Sequence, residues 1–519
     1  MRSGFQRCLV PLATLAVAAG SGALSLLAFA PFDVPPLALV SPAVLILLWQ
    51  RASPGLACLQ GWAGAMGLLL PGVFWLRMTG YRMNTVTEFE AAALTVVFVA
   101  VMALAYAAAG GIFALLRPRG RIRAALVAAA LWVLADWLRG RPYIAFPTWL
   151  GLGYSQVDTP IAGWAPLLGL HGVTFLLVLT AGLLPGLIRP PRAMPAVILL
   201  GIWLGGAALR PLAWSEPAGP PLRASLIQAP LYGQEQWSAE LRDRNAATLF
   251  DLTRNALQTS DLVVTSESAL GGSDFGEFEE RFLRPFEAEI DGRGKHVVLN
   301  AFEYVAAERY RYNRVLVLGD GGRSHYDKRI LVPVGEFMPR GRLLDPIWQW
   351  LGIYYGGNIR HGAELPPRLK IGRFEAAIAV CYESAFGDQL RTAFPEAAFI
   401  VNMSNDSWFD GSLEPEQQLQ MARMRALETR RWVLRATLTG HTAFVDPQGR
   451  IAARAPQGGI QVLAGEIVPM AGATPYIRWG DAPVLGLAMA LVGWAAWGRR
   501  RSSRQREADA TIYDASTSS

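Results

Sequence analysis

The stretch EAAIAVCYES at 375–384 decides the fold of the second half of the chain, because five apolar residues run directly into a cysteine. A short apolar run of this kind, bounded by polar residues, is typical of a buried β-strand. In sheets that alternate with helices, functional residues tend to lie just beyond strand ends. Cys381 is therefore a candidate functional residue, and a small packed side chain is the alternative interpretation.

Similar runs surround this stretch over about 214–480, where the composition is that of an ordinary globular domain. Apolar runs alternate there with polar amphipathic segments, which predicts an α/β domain. The predicted strands are RASLIQAP at 223–230, DLVVT at 261–265, HVVLNAFEYV at 296–305, RVLVLGD at 314–320, EAAIAV at 375–380 and AFIVNMS at 398–404. The predicted helices cover about 238–257, 277–291 and 415–431.

Two more polar residues follow predicted strands in the same way as Cys381. Glu267 follows DLVVT after one serine, and Lys328 lies in SHYDKRI after RVLVLGD. Taken singly, each has an ordinary interpretation as a capping or surface glutamate and a solvated lysine. Taken together with a thiol, they supply a nucleophile, a base and a stabilising positive charge.

The composition divides the chain into two parts. Its 519 residues are too many for one ordinary domain. With 52% hydrophobic and only 17% charged residues, the chain is also too apolar for a purely soluble protein. Three cysteines, two of them in or beside apolar segments, imply no disulfide framework. The net charge of +7 comes with arginines at the ends of apolar runs, a pattern of membrane topology rather than nucleic-acid binding.

Eight apolar segments are candidates for membrane-spanning helices, since a bilayer core about 30 Å thick needs around 20 apolar residues. They cover about 9–29, 35–50, 55–76, 91–116, 123–139, 163–188, 194–213 and 482–498. The prolines at 35, 36 and 42 make the boundary between the first two segments uncertain and allow a broken hairpin there instead. A cleaved signal peptide is the alternative for the first segment.

The arginines predict the orientation, because cytoplasmic loops carry the excess of positive charge. Alternate connections are marked by Arg2, Arg7, Arg51, Arg117, Arg119, Arg121, Arg123, Arg189, Arg192, Arg499, Arg500 and Arg501. The exceptions are Arg77, Arg82, Arg139 and Arg141. Both termini are therefore expected in the cytoplasm and the domain 214–480 outside it. The tail 499–519 lacks apolar periodicity and is expected to be disordered.

Several runs together resemble a known family. They are YDKRILVPVGEFMP at 326–339, AVCYES at 379–384, NMSNDSWF at 402–409, QMARMRALETRRWVLRAT at 420–437, LAFAPF at 27–32 and FPTWLGLGYSQ at 146–156. They are similar to the nitrilase superfamily of carbon-nitrogen hydrolases and, more closely, to its membrane-bound branch, the apolipoprotein N-acyltransferases. The resemblance implies a helical membrane domain of about eight spans with an α/β nitrilase-like αββα sandwich.

The resemblance also implies an activity and its residues. The expected reaction transfers a fatty acyl chain from a membrane phospholipid to the N-terminal amine of a diacylated apolipoprotein, in the bacterial inner membrane with the catalytic domain on the periplasmic side. The catalytic residues would be Glu267, Lys328 and Cys381. Supporting residues would be Glu336, Glu383, Tyr382, Asn313 and Trp237. A monomer without metal or cofactor is expected.

The chain departs from the family pattern at four positions. Thr265 and Ser266 stand where Trp-Pro usually precedes the glutamate, Val334 replaces a phenylalanine, and Gln418 replaces a histidine. None belongs to the expected triad. These departures therefore bear on the shape of the pocket and on the substrate more than on the type of reaction.

Two segments keep alternative interpretations. The aromatic stretch LLDPIWQWLGIYYGG at 343–357 is either a lid that dips into lipid headgroups or a cover over the domain core. Asn405, Asp406 and Trp408 are either site residues or members of a turn.

Other functions stay open at this point. A membrane-tethered amidase or nitrilase would use the same three residues with water as the acceptor. A scaffold that kept the fold would be expected to lose at least one of them. A transporter would need intramembrane charge pairs, for which Asp136 is the main candidate.

Overall fold

The computed structural model describes residues 2–82, 86–141, 146–188, 190–231, 239–270, 275–320, 322–333, 335–338, 340–342, 345–350 and 359–517. Helices make up the N-terminal part as far as residue 209, two six-stranded sheets form the middle, and one more helix follows. The helices of the N-terminal part are α1 (Arg2–Leu26), α2 (Val40–Trp49), α3 (Pro54–Val73), α4 (Arg77–Arg82), α5 (Glu88–Leu116), α6 (Arg121–Arg139), α7 (Ala165–Leu183) and α8 (Ala193–Leu209).

Local sequence signals fix where the long helices begin. Ser53 caps α3 by accepting a hydrogen bond from the backbone N–H of Leu56. Thr87 and Glu90 cap α5 reciprocally, each side chain accepting from the other's backbone N–H. Such caps satisfy backbone donors that have no partner inside the helix.

All eight apolar segments predicted from the sequence fall on helices. Four helical stretches are both long and apolar enough to cross a membrane: Pro54–Thr79, Glu88–Leu116, Pro160–Leu187 and Ala482–Arg501. Three others are apolar but shorter: Pro11–Leu26, Pro35–Trp49 and Ala193–Leu209. The number of eight crossings therefore stays a prediction, while membrane helices as such are present.

Helix α6 contains charged side chains, among them a buried pair near its end. Asp136 accepts hydrogen bonds from Tyr106 and from Arg139, whose Nη2 atom lies 3.0 Å from it. Arg139 also donates to the carbonyl of Trp149 at 2.8 Å. Both residues thus bond to groups on neighbouring segments, so the pair ties α5, α6 and the loop at Trp149 together.

The strands that follow are β1 (Glu216–Pro217), β2 (Leu222–Gln228), β3 (Leu262–Thr265), β4 (His296–Val305), β5 (Tyr310–Gly319), β6 (Ser324–Asp327), β7 (Arg368–Ile371), β8 (Phe374–Val380), β9 (Ala397–Ser404), β10 (Val433–Thr437), β11 (Ala443–Val445), β12 (Ile451–Arg454), β13 (Gln461–Ile467) and β14 (Met470–Ala471). One sheet has the order β13-β2-β3-β4-β5-β6 and the other β12-β11-β10-β9-β8-β7. In each, three parallel strands form the centre and antiparallel strands flank them.

The two sheets pack face to face. Their shared core joins residues of both: Leu226, Val264, Val298, Ile378, Phe399 and Leu434. The outer faces are covered by helices α9 (Ala239–Leu257), α10 (Phe275–Phe278), α11 (Arg284–Ile290), α13 (Gly387–Leu390), α14 (Glu414–Thr429) and α15 (Pro475–Trp479). A further short helix, α12 (Asp345–Trp350), lies between β6 and β7 in the chain. The α9–α11 group packs on the first sheet, and α13 and α14 pack on the second. The result is the expected αββα sandwich.

Two predicted elements differ in detail from the structure. The predicted helix at 277–291 is present over 275–290, with a π-helical segment, Glu279–Leu283, between α10 and α11. The last helix, α16 (Ala482–Thr517), continues through most of the tail that was expected to be disordered. Extending an existing helix costs much less than starting one, and the Arg, Gln, Glu and Ala residues of this tail favour helix.

Helix α14 joins the sandwich to the N-terminal helices. Gln417 accepts a hydrogen bond from Trp149 at 2.7 Å and donates to the carbonyl of Gly72 at 3.1 Å. Near the other end of α14, Glu428 accepts from the backbone N–H of Leu170 at 2.7 Å. This N–H follows a break in α7 at Gly169, whose φ is +65°. One helix therefore fixes the sandwich against two membrane helices.

Candidate active site

The strand β8 ends in a sharp turn that presents Cys381. This residue has a φ of +55°, a conformation uncommon for any residue except glycine. It opens a short 3-10 helix, Cys381–Ala385, directly after Val380. The turn lifts the cysteine out of the sheet and leaves its side chain partly exposed.

Glu267 follows the parallel strand β3 and is 5% exposed. Its Oε1 atom accepts hydrogen bonds from Lys328 at 3.1 Å and from Asn313 at 2.8 Å. Its Oε2 atom accepts from the backbone N–H of Asn405 at 3.0 Å. The carboxylate is thus held from both sides in one orientation.

Lys328 lies between two carboxylates and is 1% exposed. Its Nζ atom donates to Glu267 at 3.1 Å and to Glu336 at 3.0 Å, and it lies 5.9 Å from the ring centre of Tyr382. Burial alone would lower the pKa of Lys328, but the charges of Glu267 and Glu336 outweigh it and raise that pKa well above the ordinary value. Lys328 is therefore a fixed positive charge.

Glu336 and Asn313 hold the lysine and the glutamate in place. Asn313 donates to Glu267 at 2.8 Å and to Glu336 at 2.9 Å, and it accepts from Asn300 at 2.8 Å. The second oxygen of Glu336 accepts from the backbone N–H of Val332 at 2.8 Å. An amide that donates to both carboxylates fixes their separation.

Glu383 joins the turn at Cys381 to the loop that carries Lys328. One carboxylate oxygen accepts from the backbone N–H groups of Arg329 and Ile330, at 2.9 and 3.0 Å, and the other from that of Val380 at 2.9 Å. Burial raises the pKa of Glu383, and these backbone donors counteract the rise. Its neighbour Tyr382 donates to the carbonyl of Leu331 at 2.5 Å. Both supporting residues thus act through that loop.

The surroundings of Cys381 keep its thiol protonated. Burial raises the pKa of Cys381 far above that of a free thiol, the carboxylate of Glu267 raises it further, and Lys328 lowers it. The sulfur is therefore a neutral thiol until a base removes its proton. The carboxylate of Glu267 and the ammonium of Lys328 are the two charged groups that affect this pKa most.

Asn402 and Arg435 form a further group of polar side chains beside the turn at Cys381. Asn402 donates to the carbonyls of Ala379 and Cys381, at 3.0 and 3.4 Å. Its oxygen accepts from Arg435 at 2.5 Å, and Arg435 also pairs with Asp406 at 2.9 Å. The sequence interpretation did not include Asn402 or Arg435. Their signal was a polar residue inside an otherwise apolar strand, in AFIVNMS and VLRAT.

The residues at 405–408 show features both of a turn and of site residues. Asn405 caps the short helix Asp406–Phe409 by accepting from the backbone N–H of Ser407, which is a turn role. Its own backbone N–H contacts Glu267, and Asp406 pairs with Arg435. Trp408 is 37% exposed.

Of the other positions singled out from the sequence, the structure describes Thr265 and Ser266. Thr265 ends β3 with its hydroxyl 3.3 Å from the carbonyl of Val298, and Ser266 is buried. Trp237 and Val334 lie outside the described residues, as do the backbone at 351–358 and the side chains of the tryptophans in α12. Whether 343–357 acts as a lid stays a prediction.

Comparison with known proteins assigns both halves of the chain. The family model described as apolipoprotein N-acyltransferase N-terminal domain matches residues 21–183. The carbon-nitrogen hydrolase family model matches residues 223–476, which include both six-stranded sheets except the first residue of β2.

Full-length relatives extend this match. The chain is 37% identical over 491 residues to the apolipoprotein N-acyltransferase of Methylococcus capsulatus, covering 94% of this chain and 96% of that protein. It is 36% identical to those of Azotobacter vinelandii and Pseudomonas putida, covering 94% and 92% of this chain and 95% of each relative. The chain therefore belongs to the apolipoprotein N-acyltransferase family, the membrane-bound branch of the nitrilase superfamily.

Proposed function

We propose that this chain transfers a fatty acyl chain from a membrane phospholipid to the N-terminal amine of a lipidated cysteine in apolipoproteins, through a thioester on Cys381. Relatives along nearly the whole chain bear the name of this acyltransferase. One observation carries the mechanism: the buried Lys328 ammonium sits between Glu267 and Glu336 and acts electrostatically on the cysteine at the end of β8.

In the first step Glu267 takes the thiol proton while the sulfur attacks the ester carbonyl of the phospholipid. The carbonyl oxygen becomes an oxyanion, which the Lys328 ammonium stabilises in a site of low water content. The C–O bond to the lipid then breaks, and the proton on Glu267 passes to the leaving oxygen. The products are a lysophospholipid and a thioester on Cys381.

In the second step the amine of the acceptor attacks the thioester. Glu267 takes a proton from the attacking nitrogen, an amide bond forms, and the C–S bond breaks. The proton returns to the departing sulfur, so the free thiol is restored. The scheme uses only side chains of this protein and requires no metal or cofactor.

The charge balance of the site favours this order of proton transfer. With both carboxylates ionised, Glu267, Glu336 and Lys328 carry a net charge of −1, so a thiolate formed by loss of its proton to water would add a second negative charge. Transfer of the proton to Glu267 leaves the total unchanged. Buried sites favour such transfers because uncompensated charge is costly there.

The membrane placement is also part of the proposal: eight spans at 1–213 and 481–498, and a periplasmic catalytic domain at 214–480 of a bacterial inner-membrane protein that acts as a monomer. Arginine-rich ends of three helices support it. Arg121 donates to the carbonyl of Pro190, and Arg123 to that of Trp494. The sandwich contacts the opposite end of the bundle, at Gly72 and Leu170.

A lipid-facing surface supports delivery of both substrates through the bilayer. Large apolar side chains are exposed along the helices: Leu12, Val17, Leu59, Val97, Leu104, Val197, Leu200, Leu204, Leu487 and Met489. A soluble protein rarely exposes so many. A hydrolase of small amides would need only one anchor, so this body favours acyl transfer between lipids over the amidase alternative.

Mass spectrometry of Cys381 after incubation of the purified chain with phospholipid tests the proposal. We expect a mass gain equal to one fatty acyl chain, absent from Cys381→Ala. No gain on wild-type protein in either detergent or vesicles would refute the thioester. Turnover with a lipopeptide amine that released only free fatty acid would support the amidase instead.

A further inference from the structure

The side chain of Gln418 is a buried polar group that the proposed triad does not use. It projects from α14 and is fully buried. Its Nε2 atom lies 3.9 Å from the sulfur of Cys381. This is the position at which the chain departs from the histidine of the family pattern.

The orientation of this amide is fixed by its other partners, since Oε1 also accepts a hydrogen bond from the Ser404 hydroxyl at 3.0 Å. The Oε1 atom of Gln418 accepts a hydrogen bond from Nη2 of Arg435 at 2.5 Å. A guanidinium has donors only, so a flipped amide would set its NH₂ group against Arg435. The NH₂ group must therefore point toward the sulfur of Cys381.

Arg435 is itself held firmly, so the amide cannot drift away from the sulfur. Its side chain is fully buried, pairs with Asp406 at 2.9 Å and donates to Asn402 at 2.5 Å. Asn402 in turn donates to the backbone carbonyl of Cys381 at 3.4 Å. One guanidinium thus positions an amide at the side chain of the nucleophile and another at its backbone.

We infer that Gln418 is a hydrogen-bond donor to the Cys381 sulfur and stabilises the thiolate that forms in both steps of the reaction. The inference rests on the proposed function, in which the sulfur becomes negative once when it attacks and again when it leaves. Donors to ionised acceptors come closer and bind more strongly than donors to neutral ones. A contact of 3.9 Å to the neutral thiol is therefore expected to shorten as charge develops.

The charges that act on this sulfur come from several elements. Burial first, and then the carboxylates of Glu267, Glu414 and Asp406, raise the pKa of Cys381, while Lys328 lowers it. Glu267 and Lys328 follow strands of the first sheet, whereas Glu414 and Asp406 lie around α14. Lys328 is the cation that lowers this pKa, so a neutral donor on the α14 side complements it.

The test is the pH dependence of Cys381 alkylation by iodoacetamide, measured on the full-length chain in detergent. Gln418→Leu removes the donor, and Gln418→Glu keeps the size and a partner for Arg435 while placing an acceptor near the sulfur. Both should move the midpoint of the profile to higher pH, by about one unit for leucine, which is about a tenfold lower rate at fixed pH. Gln418→Glu should shift the midpoint to higher pH by at least as much as Gln418→Leu.

Gln417→Leu is the matched control, since the neighbouring glutamine is equally buried but bonds to Trp75 and Trp149 instead. It should lower the thermal unfolding temperature and leave the midpoint in place. If folded Gln418→Leu and Gln418→Glu had the same alkylation midpoint as the wild type, the inference would be overturned. If Gln418→Leu does not fold, the midpoint of Gln418→Glu alone decides. Alkylation needs no acyl substrate, so this outcome is independent of whether wild-type Cys381 acquires an acyl chain.

Discussion

Cys381 sits in a conformation and an electrostatic setting that both bear on its reactivity. Its positive φ carries a backbone cost that the surrounding hydrogen bonds must offset. Its thiol is neutral at rest, because burial and then Glu267 raise its pKa while Lys328 lowers it. Variants that remove the charge of Glu267 and of Lys328 should therefore shift the pKa of Cys381 in opposite directions.

Glu267→Gln keeps the shape of the side chain and removes the proton acceptor. Acyl transfer should fall by roughly 100- to 10,000-fold, the usual size of general-base catalysis. The alkylation profile of Cys381 should nevertheless move to lower pH, because a carboxylate that raised the thiol pKa is gone. An unchanged profile together with normal transfer would contradict the assignment of Glu267 as the base.

Lys328→Met keeps much of the bulk and removes the positive charge. The alkylation profile should move to higher pH, and formation of the acyl-enzyme should fall by about 100-fold or more, as for loss of an oxyanion donor. Thermal unfolding must be measured in parallel, because Glu267 and Glu336 lose their shared partner. A folded variant that formed acyl-enzyme at the wild-type rate would exclude an electrostatic role for Lys328.

At the scale of elements, Glu416 of α14 should make the stability of the fold depend on pH. Burial alone would raise the pKa of Glu416, but hydrogen bonds from His441 and Arg454 lower it to about 2. The folded pKa lies below the unfolded one, so the stabilisation is complete above the unfolded pKa, near 4.5, and is lost as pH falls toward 2.

Glu416→Gln should accordingly lower the unfolding temperature at neutral pH, and the difference from wild type should shrink as pH falls from about 5 to about 3. Glu280→Gln is the control, because Glu280 is 71% exposed and pairs with Arg284, which is also exposed. It should change stability little at any pH. A Glu416 difference that stayed constant with pH would disprove the linkage.

The elements also show what the sequence could and could not predict. The strand HVVLNAFEYV was predicted with the limits it has, since a long apolar run between polar turns leaves little choice. The strand VLRAT was not predicted, because a central arginine interrupts its apolar pattern. That arginine is buried through contacts with Asn402, Asp406 and Gln418, which come from other elements and which no local pattern announces.

On the scale of the whole molecule, the arginine pattern predicts that the sandwich lies outside the cytoplasm. A reporter inserted near Gln457, in an exposed loop of the second half, should be active only in its periplasmic form. The same reporter after Arg501 should be active only in its cytoplasmic form. A reporter near Gln457 that was active in the cytoplasm would reverse the proposed orientation.

The same scale brings together the two halves of the reaction, since a lipid donor and a lipidated acceptor must both reach one cysteine. The most direct test of the thioester account is therefore a chase. Wild-type chain is loaded with acyl groups from phospholipid, freed of the phospholipid, and then given a diacylated lipopeptide with a free amine. We expect the acyl mass to leave Cys381 and to appear in equal amount as an amide on the lipopeptide, with Cys381→Ala inactive in both stages. Amide formation while the acyl group stays on Cys381, or transfer by Cys381→Ala at near the wild-type rate, would contradict the account.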